Sequence, residues 1–371
     1  MAPTRHSSPS PGGVKAPHPD PQVTDALAGV KILEFSAIGP VPWGVNLFVD
    51  MGAKVTRICR PGKSASPASP IPAKAPDTIN ERGRHDICID LKTEAGRQQA
   101  LDLIGSHDVL IEGMRPGAME RLGLAPANCL PRNPHLVYAR VTGWGQEGPL
   151  ASRAGHDINY IALSGALHAI GTRTGPPIVP LNLIGDYGGG GAFMAIGVLA
   201  ALFKAKTTGE GSVVDIAMLD GAARQMGTAY ERLNRGDWRD ERGVNALDGG
   251  APWYSVYQAQ CGNYMAVGAI EPQFYRQFLQ GLALDEATLP DRSDRTQWES
   301  LRNLFADRFK TRTREQWMET FDTIDACVSP VLSLSEAPMH PHNQARLVFV
   351  ASADGTPRPG LAPRFQPLAT S

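Results

Sequence analysis

A chain of 371 residues with 42% hydrophobic and 20% charged residues has the make-up of an ordinary globular protein, long enough for two domains. Lys+Arg 36 against Asp+Glu 37 leaves a net charge of -1, which excludes a general pull towards nucleic acid or an anionic membrane, so any anion site must be local. Five cysteines, Cys59, Cys88, Cys129, Cys261 and Cys327, stand singly without a CxxC pair, and the nine histidines contain no HExxH; no disulfide framework or metal centre is expected, and reduced thiols suit the cytoplasm.

Residues 1–28 are rich in Pro, Ser and Gly and lack the apolar stretch of a secretory signal, which predicts a disordered tail. From Gly29 the sequence reads as strand ("VKILEF"), turn-rich connection ("SAIGPVPWG"), helix ("VNLFVDMG") and strand ("AKVTRI"). A Pro/Ser loop at 61–76 leads to a strand in "HDICIDL", a helix in "TEAGRQQALDLIGSH" and strands in "DVLIEG" and "HLVYARVTGWG". Such alternation predicts an α/β fold with an open, mostly parallel sheet in a large domain over 29–216. Within it, 187–208 predict a long apolar helix before the strand "GSVVDIAM", yet no run approaches the ~20 apolar residues of a membrane span. A linker over 217–251 follows. Hairpin-like alternation around "CGN" and two amphipathic helices then predict a smaller α+β domain over 252–338, and the Pro-rich 339–371 is expected to return to the large domain.

The β-α-β opening invites a dinucleotide site, but "SAIGPVPWG" lacks GxGxxG spacing. "TRICRP" places Arg57 and Arg60 where an acidic residue would meet a ribose. Either these arginines are solvated surface charges, or they serve a phosphate. Lys92 and Arg115 follow other strands, and Arg121 joins from a helix. Ligands of open α/β sheets bind beyond the carboxyl ends of strands, so these cations converging there suggest a polyphosphorylated ligand.

Two short stretches carry candidate acid/base groups: "GHDINY", with Gly155, His156, Asp157 and Tyr160, and "NLIGDYGGGG", with Asn182 and Asp186. Aspartate at a helix start is commonly only a cap, and a lone histidine is commonly structural. As chemistry, a histidine titrates near neutrality and an aspartate in apolar surroundings has its pKa raised, so together they can donate and accept protons. Gly188–Gly191 would let the backbone approach a ligand and open the following helix. Asp157 would begin a helix whose free N–H groups can hold an oxyanion.

Taken together, "GVKILEFSAIGP", "GAKVTRICRP", "IDLKTEAG", "VLIEGMRPGAMERLGL", "YARVTGWGQEGP", "AGHDINYIALSGALHAIG", "PLNLIGDYGGGG", "LDGGAPWYSVYQ", "VGAIEPQFY" and "DACVSPVLSLSEA" resemble the α-methylacyl-CoA racemases of the family III CoA-transferase (CaiB/BaiF-like) superfamily. The resemblance implies a Rossmann-like large domain and a small domain in an interlaced homodimer, with active sites at the subunit interface. It implies His156 and Asp186 as the catalytic pair, Glu271 of the small domain orienting the imidazole across the interface, and the helix of Asp157 stabilising an enolate. Coenzyme A, as part of the substrate rather than a separate cofactor, would lie along Ile89, Asp90, Leu91, Lys92, Gly113, Met114, Gly155 and Tyr160. Arg60, Lys92, Arg115 and Arg121 would meet its phosphates. Trp43 stands where small residues are usual and would crowd the coenzyme entrance; Met114 stands where an aromatic is common. Two other functions fit the scaffold: a CoA-transferase with Asp157 as nucleophile, and a non-catalytic acyl-CoA-binding protein.

Overall fold

The computed structural model describes residues 24–61, 81–352 and 354–366, so most of the expected tail and Pro/Ser loop lie outside the described residues. Residues Asp25–Val331 form one compact unit that carries the two larger sheets. The described part of 332–371 belongs to a second unit, with a short helix, Pro341–Ala345, and an antiparallel strand pair, Phe349–Ala351 with Pro357–Pro359.

Six strands make the main sheet: β1 Lys31–Phe35, β2 Lys54–Cys59, β3 Arg84–Cys88, β4 Val109–Glu112, β5 Val137–Thr142 and β6 Ser212–Ala217. Their order is β3-β2-β1-β4-β5-β6 and every pairing is parallel. Every residue of β4 and β5 is buried. Both faces of a parallel sheet are covered, so central strands tend to read as near-continuous apolar runs. One core layer packs Ile32, Val109 and Val137 under α1, Pro40–Asp50; the other packs Leu33, Leu110 and Tyr138 under α2, Glu94–Ile104. Strand order reverses between β1 and β4, which opens a crevice at the carboxyl ends of those two strands.

Past this crevice come a short α3, Ala118–Arg121, then α4, Asp157–Leu163, and α5, a continuous helix Leu183–Thr208. The first ten residues of α5, Leu183–Ala192, are wound as a π-helix, and Tyr187 N–H donates to Asn182 C=O at 3.3 Å. The helix therefore begins four residues earlier than expected, and Gly188–Gly191 lie well inside it rather than at its opening. Their absent side chains serve packing. A Cβ on Gly189 would come within 2.7 Å of Met218 O, and one on Gly191 within 2.4 Å of the Trp43 ring. In return, a Cβ on Gly221 of α6, Met218–Gln225, would meet Gly189 O at 2.1 Å. By length and composition α5 is apolar enough to cross a membrane, contrary to the sequence expectation. It is a core helix of the sheet, with Met194, Val198 and Leu202 in the buried layer.

After α7, Gly227–Asn234, three antiparallel strands form the small sheet: β7 Tyr254–Gln258, β8 Tyr264–Gly268 and β9 Val328–Pro330. Helices α8 Pro272–Gly281, α9 Trp298–Phe309 and α10 Arg314–Phe321 cover it around Phe278, Phe305, Phe309 and Trp317.

Candidate active site

His156 and Asp157 meet at the start of α4. His156 holds an extended backbone (φ -134°, ψ 172°); its N–H donates to Asn159 Oδ1 at 3.0 Å and its C=O accepts from Asn159 N–H at 2.8 Å. This reciprocal capping fixes the histidine backbone and leaves the residue exposed. Asp157 is 5% exposed, and its Oδ2 accepts from both Gly185 N–H and Asp186 N–H at 2.7 Å. The carboxylate thus caps α5 rather than its own helix, and its charge suits the positive end of that helix. Gly185 allows this approach, since a Cβ there would stand 2.8 Å from Asp157 Oδ2. The two capped helix starts bring His156 and Asp186 close enough to interact electrostatically.

Asp186 is half-buried, and Asn182 Nδ2 donates to its Oδ2 at 3.2 Å. Gly39, at φ 69°, passes over the same oxygen, which would lie 3.3 Å from a Cβ. Burial pushes the Asp186 carboxyl above its ordinary range; the Asn182 bond opposes this, the Asp157 charge adds to it, and His156 opposes it. A carboxyl so shifted keeps its proton to higher pH, as an acid/base group must if it is to donate.

Tyr160 is buried edge-on against Trp144, with ring centroids 4.7 Å apart, and burial first, then Asp186 and Asp157, push its phenol up to about 12. Gly143 and Gly155 lie directly against its ring, where a Cβ would come within 2.2 and 2.7 Å. Tyr160 and Gly155 thus pack the 143–155 loop against α4. Trp43 is also packed against neighbouring side chains. It lies in the first turn of α1 and stacks on Tyr187 at 5.0 Å, against the α5 glycines.

The expected coenzyme residues gather at the carboxyl ends of β2, β3 and β4. Arg60, Lys92, Arg115 and Arg121 are exposed, and none is in an ion pair among the described residues. Asp90 shapes its turn by accepting from Lys92 N–H at 3.0 Å. Ile89 and Leu91 point into the core, so a ligand there would meet their backbone only. Gly113 leaves the crevice narrow: a Cβ would lie 3.2 Å from both Ala37 and Val41. Met114 packs against the α2-side core, and its N–H donates to Glu112 Oε2 at 2.7 Å. Arg57 is not free to meet a phosphate. It is held by Glu81 and by a two-pronged bond to Asp86, at 2.8 Å in each arm. Glu271 stands exposed as the N-cap of α8, with its charge acting on Cys327.

Two supports escape sequence reading. Arg140 on β5 joins Glu112 at 3.0 Å and Glu120 of α3 at 2.9 Å, which ties the Met114 turn to the helix of Arg121. These charges are distant in sequence and have no local signature. Asn159 carries a signal, standing three residues after the N-cap where a capping partner belongs.

The profile of CoA-transferase family III matches residues 27–370. The chain is 40% identical over 337 residues to the α-methylacyl-CoA racemase of Mus musculus, covering 91% of this chain and 86% of that protein. It is 41% identical over 336 residues to that of Homo sapiens, covering 90% and 85%. The fold matches the crystal structure of a CaiB/BaiF family protein from Brucella suis with a TM-score of 0.76, at 24% identity and 93% of each chain.

The raised Asp186 carboxyl has a stability consequence. Its folded form binds the proton more tightly than the unfolded chain, so wild-type stability falls as pH rises from the ordinary value of 3.8 through the raised one, and the penalty persists above it. Asp186→Asn lacks this penalty. Thermal unfolding should show the variant equal to or above wild type at neutral pH, with the advantage shrinking on acidification. A variant that is less stable than wild type only at neutral pH would contradict the burial-driven shift.

Proposed function

Because the chain belongs to CoA-transferase family III, we propose that it racemises 2-methylacyl-CoA thioesters at C2. The observation that carries this reading is the Asp157 carboxylate bonded to Gly185 and Asp186, which ties the helix start of His156 to that of a carboxyl raised by burial. One of the two groups removes the α-proton, the thioester becomes an enolate, and the other returns a proton to the opposite face. Within the first turn of α4 the N–H groups of Asn159 and Tyr160 already point to His156 C=O, so those of Asp157 and Ile158 are the donors assigned to the enolate oxygen. Coenzyme A enters with the substrate, and Arg60, Lys92, Arg115 and Arg121 are assigned to its phosphates. A transferase with Asp157 as nucleophile is less favoured, because the carboxylate is buried and its Oδ2 is committed to two backbone amides. A non-catalytic acyl-CoA binder would have no use for the paired acid/base groups.

The test is α-deuterium uptake from heavy water by each pure enantiomer, without an acyl acceptor. His156→Ala and Asp186→Asn should each lower racemisation by at least ~10²–10⁴-fold while retaining exchange on opposite enantiomers. Uptake that requires an acyl acceptor, or racemisation undiminished in both variants, would sink this reading.

Arg60→Ala and Arg121→Ala should raise KM for the acyl-CoA more than they lower kcat, because phosphate contacts hold ground and transition states alike. Steady-state kinetics that show the loss in kcat alone would remove both residues from the coenzyme site.

The active unit in this proposal is a homodimer, in which Glu271 of the partner subunit orients His156. Support comes from large apolar side chains exposed on α4 and α5, among them Ile158, Leu163, Leu183, Ile196 and Phe203. Light scattering of the active protein should give the mass of two chains; full activity at the mass of one would refute the arrangement.

A further inference from the structure

The cysteines that stand singly in the sequence do not all stand singly in the fold. Cys59 and Cys88 are the last residues of β2 and β3 and are register partners on those neighbouring parallel strands. Adjacent strands lie about 4.7–4.9 Å apart, inside the Cα separation of about 4.4–6.8 Å that a disulfide spans. Side chains at registered positions of a parallel pair leave the sheet on the same face, as the rung two residues earlier shows: Arg57 and Asp86 are also register partners and bond through both guanidinium arms. Cys88 is exposed and Cys59 partly so. Burial, then the Asp86 carboxylate, hold the Cys59 thiol above its ordinary value; Arg57 counters this and Cys88 adds to it.

The position of this rung gives it a consequence. Arg60 follows Cys59 directly, and the Ile89–Lys92 turn follows Cys88. Ile89 N–H donates to Cys59 C=O at 3.0 Å, so the ladder runs through the cysteine pair into the turn assigned to the coenzyme. Anything that shifts or twists the two strand ends against each other moves a proposed phosphate-binding cation and that turn at once.

We propose that Cys59 and Cys88 form an oxidisable dithiol, closed to a disulfide by hydroperoxides, and that its closure weakens the hold on the coenzyme portion of the substrate. The exposed Cys88 sulfur, as thiolate, attacks the O–O bond of hydrogen peroxide, forming a sulfenic acid and releasing hydroxide, which takes up the proton lost by the thiol to become water. The Cys59 sulfur then displaces the sulfenic hydroxyl, which leaves as a second water with the Cys59 proton. Two electrons pass from the two sulfurs to one peroxide. The effect on turnover rests on the racemase reading; the covalent chemistry does not.

The experiment treats the full-length protein with hydrogen peroxide, blocks remaining thiols and maps peptides by mass spectrometry before and after dithiothreitol. The expected product is a Cys59–Cys88 linked peptide, released by the reductant and absent from Cys88→Ser. In parallel, oxidised wild type should show a several-fold higher KM for acyl-CoA with kcat nearly unchanged, restored on reduction, whereas Cys88→Ser keeps its reduced KM under peroxide. Two freely alkylated thiols after treatment would overturn the dithiol. A linked peptide with unaltered KM would overturn its coupling to the coenzyme. Because the map reads connectivity rather than turnover, an inactive protein that still forms the link would count against the racemase reading alone.

Discussion

One carboxylate organises this site. Asp157 Oδ2 accepts two backbone N–H groups from the first turn of α5, and through those bonds two helices remote in sequence share a common start. A bond between a charged acceptor and a helix N-terminus is strong because the charge meets unsatisfied amides and the positive end of the helix together. The residue on one side of this lock is His156. One of the two amides it holds belongs to Asp186. Asp157 therefore acts on the proposed acid/base pair through position, with its Oδ2 occupied by the two amides.

The lock works only where backbones come very close. Gly185 admits the Asp157 carboxylate, Gly189 and Gly221 let α5 and α6 touch main chain to main chain, and Gly191 receives the Trp43 ring. The π-wound turns of α5 belong to this crowding, and π segments are frequent at functional sites. The glycine run is a packing surface that holds Asp186 half out of water. Withdrawal from water is in turn the main cause of its raised pKa.

The carboxyl edge of the sheet divides into two chemistries. Ends of β2, β3 and β4 carry exposed cations and tight turns, while α4 and α5 carry the proposed acid/base pair. The β1–α1 connection spans both: Ala37 lies against Gly113 on one side, and Gly39 against Asp186 on the other. A ligand charged at one end and reactive at the other would cross this connection at the strand reversal, where open α/β sheets bind their ligands.

The alternation of strands and helices, the parallel sheet and the small antiparallel hairpin were legible in the sequence because they follow from local hydrophobic period and turn residues. His156, Asp186 and the cations after the strands were legible as candidates, since residue type and place after a strand are local facts. Tertiary structure decided what each group does. Arg57 and Arg60 look alike in "TRICRP", yet one is spent on Glu81 and Asp86 and the other is exposed. Tyr160 read as ligand-lining and Trp43 as crowding the coenzyme entrance; only the fold showed that one ring packs on Trp144 and the other on Tyr187, because burial depends on what the rest of the chain places over a ring. The four glycines announced a close approach, but only the folded chain showed that helix α6, α1 and the Trp43 ring make it. Sequence determines which groups are available and the period on which they repeat. Distance between residues far apart in the chain is set by packing, and pKa values, ion pairs and the Cys59–Cys88 rung all depend on that distance.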